Sequence, residues 1–163
     1  MITTFLVEHP WLTTAALGAL IVIGPLVGYA LVGRPRLAVW LGLASTLPVL
    51  ALTLVPTDRD LAVGCAIEWA LPTLGAVELM ANVVLVVPAG LIFGVASRRP
   101  LRVALGASAL SCLIELIQAV VPALGRSCST GDWLANTIGA ALGAGVAALV
   151  LVVRRRQPWE PGR

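Results

Sequence analysis

The chain has 163 residues, 59% of them hydrophobic and only 12% charged, with a mean hydropathy of +0.98. That balance excludes an ordinary water-soluble domain and requires an integral membrane protein. The formal charge of +3 carries no sign of nucleic-acid recognition, because lysine is absent and the arginines sit in short clusters between apolar runs rather than along a basic groove.

A hydrocarbon layer about 30 Å thick needs about 20 apolar residues in a helix. Five stretches meet that need, at residues 11–32, 37–55, 79–96, 101–124 and 133–153. The first follows Glu8 and His9 instead of a basic leader and exceeds the roughly 7 to 15 residues of a signal-peptide core, so it is expected to remain as a span. GRPR, a longer loop at 56–76, SRRP and a polar loop at 125–132 connect the runs. The expected fold is all-α: one polytopic bundle of five transmembrane helices forming a single domain over residues 1–163.

Arg34, Arg36, Arg98, Arg99, Arg102, Arg154, Arg155, Arg156 and Arg163 fall on one side of such a bundle, and only Arg59 and Arg126 on the other. The positive-inside rule then puts the N-terminus outside and the C-terminus in the cytoplasm. Glu8, Asp58, Asp60, Glu68, Glu78 and Asp132 lie outside or at the outer interface. Cys65 and Cys128 also lie in outer loops, where an oxidising exterior permits a disulfide; two free thiols are the equal alternative.

The informative stretch is ELIQAVVPALGRSCSTGDWLANTIGAALG, residues 115–143. Glu115 and Gln118 stand three residues apart and share one helical face. Glu78 and Asn82, at i and i+4, share a face of the third span, and Asp132 and Asn136 do the same on the fifth. With Arg126, these groups converge on the outer half of the membrane from three spans. A single polar group in a span is ordinarily interhelical glue, averaging about 0.6 kcal/mol. Seven at one depth point to a ligand-binding pocket.

Arg126 is expected to pair with Asp132 or Glu115, or to offer its planar fork to an anionic phosphate or carboxylate. Glu115 and Asp132 are the candidate catalytic residues if the site does acid–base chemistry; the plainer reading of Glu115 is a neutral, hydrogen-bonded acid. Asn82, Gln118 and Asn136 supply uncharged donors and acceptors. Gly139 and Gly143 form a small-xxx-small face for close helix approach, Pro88 and Gly90 are expected to kink the third span, and Trp133 reads as an interfacial anchor. No HExxH, CxxC pair, P-loop or GxSxG is present, and the single histidine is His9. A Cys/His zinc site and histidine-dependent lipid chemistry are therefore not expected; Glu78, Glu115 and Asp132 leave a nonspecific carboxylate metal site open. No cofactor is expected.

At these residues the chain resembles the VanZ-like family of bacterial membrane proteins. The resemblance rests on Glu78, Asn82, Pro88 and Gly90, on E-L-I-Q at Glu115 to Gln118, and on Arg126 leading through R-S-x(4)-D-W-L-A-N-T-I-G to Asp132, Asn136 and Gly139, so that it is strongest over residues 78–145. It implies a multi-pass protein of the bacterial cytoplasmic membrane, in a family whose founding member is associated with resistance to the glycopeptide teicoplanin. Three functions compete. The first is a binding protein for a membrane lipid, a lipid-linked cell-wall precursor or a glycopeptide; the second, a membrane enzyme on a lipid-linked substrate; the third, a structural partner whose polar cluster sets helix register. Alternating-access transport fits less well, since no inverted halves are visible.

Overall fold

The structure is a computed structural model and describes residues 8–57, 63–73 and 75–156. Asp58, Arg59, Asp60 and Arg163, used above for orientation, lie outside the described residues. Among the described residues five helices are long and apolar enough to cross a membrane: α1 (Trp11–Leu31), α2 (Pro35–Leu54), α3 (Val77–Ser97), α4 (Pro100–Val120) and α5 (Thr130–Arg156). Between them, β1 (Cys65–Ala66) and β2 (Cys128–Ser129) form a short parallel pair, and Pro122–Leu124 makes one 3₁₀ turn.

Helix ends differ from the expected spans for local reasons. Pro35 and Pro100 occupy the first turns of α2 and α4. Proline lacks an N–H that would be unbonded there in any case, and its fixed φ suits a helix start, so both helices begin at the proline rather than one or two residues later. The expected fourth span, 101–124, is too long. Pro122 disfavours the α conformation at Val121, whose backbone turns to φ −119° and ψ 79°, and α4 ends at Val120. Gly125 follows with φ 58°, a left-handed conformation that turns the chain out of the 3₁₀ turn. α5 begins at Thr130, three residues ahead of the first apolar residue of the expected span, because Ser129 and Thr130 are anchored by hydrogen bonds described below. α3 runs through Pro88 as one helix to Ser97.

α3 and α5 form the axle of the bundle. Hydrocarbon gives helices no hydrophobic drive to associate, so close backbone contact through small residues must supply dispersion energy. Gly139 and Gly143 of α5 lie directly on α3: a Cβ at Gly139 would sit 2.5 Å from the Val83 carbonyl oxygen, and one at Gly143 would collide with the Val87 carbonyl. Gly90 returns the contact, 2.8 Å from such a Cβ to the Ala140 carbonyl. Met80, Val83, Val87 and Ala135 close one end of this seam; Leu91, Ile92, Val95, Ala147 and Val150 close the other, with Leu31 and Ala38.

α1 packs on α3 and α5, α2 on α3, and α4 on α5 and α3. The outward faces of α1 and α2 are apolar and exposed, as lipid contact requires. The described arginines 34, 36, 98, 99, 102 and 154–156 gather at one end, where Arg154 donates to the Tyr29 hydroxyl at 2.6 Å and lies 4.9 Å from its ring centre. The polar loops close the other end.

Candidate functional site

At the loop end, the long connection between α2 and α3 is fastened to the start of α5. Cys65 faces Cys128 across the strand pair, their Cα atoms are 4.5 Å apart, and the two are joined by a disulfide. The Thr130 hydroxyl accepts from the Glu68 N–H at 2.8 Å and donates to the Glu68 carbonyl at 2.9 Å. Trp69 meets Trp133 edge to face at 6.3 Å. Gly131 lies close under the Glu68 carbonyl, where an added Cβ would stand 3.3 Å away.

Beneath this cap the sequence-predicted residues divide into two groups. In the first, Asn82 of α3 donates to Asp132 Oδ1 at 2.8 Å, joining the two axle helices by their polar mouths. Glu78 lies one turn above Asn82 and is exposed. Glu115, 8% exposed, accepts the Ser129 N–H through Oε2 at 2.8 Å and so holds β2 against α4. Asn136 donates to the Ser111 hydroxyl at 2.9 Å. Asp132 is near enough to Glu68, Glu78 and Glu115 for the carboxylates to feel one another's charge.

The second group is directed elsewhere. Arg126 does not pair with Asp132 or Glu115; its Nε and Nη2 donate to the Val55 carbonyl at 3.3 and 3.1 Å. Gln118, also 8% exposed, donates to the Thr53 carbonyl at 2.8 Å. Both acceptors belong to the end of α2, where the last carbonyls lack intrahelical partners and carry the negative end of the helix dipole. The left-handed turn at Gly125 carries Arg126 across to that end. Thr57 secures the same junction by donating from N to Leu124 O at 3.0 Å and from Oγ1 to Gly125 O at 2.6 Å.

Other participants carry no charge and are less conspicuous in the sequence. Trp133 is more than an interfacial anchor, since its indole N–H donates to the Ser108 carbonyl at 3.2 Å. Ser108 and Thr137 share a hydroxyl hydrogen bond at 2.8 Å. Ser108, Ser111, Glu115 and Gln118 follow one another at spacings of three, four and three, one stripe of α4 turned to α5 and α2. That periodicity was the available signal. Among the described residues every buried side-chain N and O atom has a hydrogen-bond partner, as a low-dielectric interior demands.

A cavity of about 430 Å³ lies beside this stripe, between α2, α3 and α4, with Asn136 of α5 at one end. Thr53, Ser111 and Asn136 bring polar groups to that end, and Thr46 and Ser97 also line the cavity with their hydroxyls bonded back to their own helices at Leu43 O and Phe93 O; the remaining lining is apolar. Among the described residues no three His, Cys, Asp or Glu side chains gather to hold a metal ion, which removes Glu78, Glu115 and Asp132 as a joint carboxylate site in this arrangement.

The site thus offers buried amides, hydroxyls and carboxylates at the mouth of a helix bundle, beside an apolar hollow. No curated protein and no solved structure matches the chain. The family model described as VanZ/LLP1 matches residues 44–151, more than half of the chain and every residue of the polar stripe and its cap, and the chain belongs to this family.

Proposed function

We propose that this membrane protein binds the polar head of an envelope lipid, with a lipid-linked cell-wall precursor as the principal candidate, at the loop end of the bundle. The observation that carries the reading is the meeting of Asn82–Asp132, Glu115–Ser129 and, one turn deeper, Asn136–Ser111 from three helices, beside a cavity within the bundle. Burying so many polar groups costs free energy that glue between two helices does not require. The positive-inside rule, applied to the arginine clusters at the opposite end, supports a cytoplasmic position for that end and, with it, a site open to the extracytoplasmic side of a bacterial cytoplasmic membrane. A glycopeptide such as teicoplanin is the second ligand to test, since the family's founding member is associated with resistance to it.

The test is thermal stabilisation or native mass spectrometry of the protein in nanodiscs, titrated with a lipid-linked cell-wall precursor and, separately, with teicoplanin. Binding should be selective and should weaken about tenfold in Asp132→Asn, a change that preserves shape while removing charge. Equal behaviour of precursor and bulk phospholipid would exclude the reading. An enzymatic reading is favoured by one observation, the buried Glu115 carboxylate near Asp132. It requires Glu115→Gln to abolish turnover of a lipid-linked substrate while leaving precursor binding intact.

A further inference from the structure

We propose that the cleft between α2 and α4 seats one hydrocarbon chain of a membrane lipid, which enters sideways from the bilayer with its polar end toward Thr53, Ser111 and Asn136. The cleft exists because α2 and α4 both pack on α3 while their facing sides stand apart. Its walls are Val49 and Leu50 on one side and Leu110 and Ile114 on the other, with Val86 and Phe93 as its floor. Val39, Leu50 and Leu110 line the hollow and are at the same time exposed, so it opens onto the lipid-contacting surface of the bundle.

Three observations select an alkyl chain as the occupant. The first is chemistry. A lining this poor in polar groups holds water badly, because a buried water needs two to four polar partners, and an empty hollow forfeits dispersion contacts on every wall. The second is length. On α4 the lining extends from Val103 to Ile114 and on α2 from Val39 to Thr53. At about 1.5 Å per residue these stretches cover about 16 and about 21 Å, roughly half to seven tenths of a hydrocarbon layer about 30 Å thick. That is the reach of a chain belonging to one leaflet. The third is the asymmetry of the ends. Asn136 makes one hydrogen bond, to Ser111, of the several its amide can form, whereas Thr46 and Ser97, farther along the cleft, donate their hydroxyls to their own helices at Leu43 O and Phe93 O, so capacity for a lipid's ester or phosphate oxygens is greatest at the Asn136 end.

Small residues hold the space open. Gly106 and Ala107 face the cleft from α4, and a Cβ added at Gly106 would meet nothing within 4 Å. The inference rests on the proposed headgroup site only for which way the chain lies; the occupancy of the cleft stands without it.

The experiment uses the full chain in nanodiscs containing phosphatidylglycerol with a diazirine on one acyl chain. Cross-linked residues are mapped in the wild type, in Gly106→Leu, which fills the cleft, and in Gly18→Leu. Gly18 lies on α1 with equally open surroundings, so this variant adds the same bulk elsewhere. Labelling should concentrate on Ala107 and the buried Ile114 in the wild type and in Gly18→Leu. It should fall about tenfold there in Gly106→Leu, while the outward Leu105 and Leu116, 63% and 57% exposed, stay labelled. Cleft labelling that is unchanged by Gly106→Leu, or no stronger than at Leu105, overturns the inference. Cleft labelling cleared by Gly106→Leu in a protein that fails to select the lipid-linked precursor leaves the chain site standing and refutes the headgroup reading. Selective precursor binding without cleft labelling does the reverse.

Discussion

Two places in this bundle are built from small residues, and they behave oppositely. Along the α3–α5 seam, Gly139, Gly143 and Gly90 are filled by the backbone of the other helix. On α4, Gly106 and Ala107 face an opening. Glycine in a membrane helix is therefore not by itself a sign of tight packing; what matters is whether the opposite wall is brought close. The seam is drawn together by the Asn82–Asp132 bond and by contacts along the length of both helices. Among the described residues α2 and α4 are hydrogen-bonded at their loop ends, through Gln118 on Thr53, and the loop after α4 adds Arg126 on Val55, while the cleft lies between their middles.

The contrast can be broken most severely at the seam. Gly143→Leu forces a side chain into the Val87 carbonyl and should cost about 3 kcal/mol or more, seen as lost membrane abundance and a collapsed melting transition in detergent. Next comes the covalent fastening of the cap. Cys65→Ser with Cys128→Ser should lose about 2 to 4 kcal/mol, and reductant added to the wild type should lower its melting temperature to that of the double variant and leave the double variant unmoved. Asn82→Ala removes a partner from a half-buried carboxylate and should cost about 2 kcal/mol, with Asp132→Asn in the same background recovering part of it. Arg126→Ala, which strips one exposed helix-end carbonyl, should cost about 1 kcal/mol or less by thermal denaturation. Gly106→Leu should leave stability within about 0.5 kcal/mol of the wild type, the sharpest test that the α4 glycine faces free space.

The five helices were legible because length and hydrophobicity alone decide what can span a bilayer, whereas the starts at Pro35 and Pro100 were missed by one or two residues because hydropathy does not register how well proline suits a first turn. The shared face of Glu115 and Gln118 was legible from their spacing, but not their separate partners. Glu115 turns to the Ser129 amide and Gln118 to the Thr53 carbonyl, choices fixed by where α5 and α2 end in space. Arg126 shows why charge pairing is a poor guide here. Several carboxylates lie at its level, yet the left-handed Gly125 aims it at a helix end, and a dipole takes the place of an ion. The pairing of Cys65 with Cys128 depended on proximity across 63 positions of chain, which no local pattern encodes.

That same bond has a topological result. It closes the polypeptide into a ring that contains all of α3 and α4. A protease nick anywhere between Cys65 and Cys128 would therefore release no fragment: the severed molecule would still migrate as a single species on a non-reducing gel and would separate into two only after the sulfurs part.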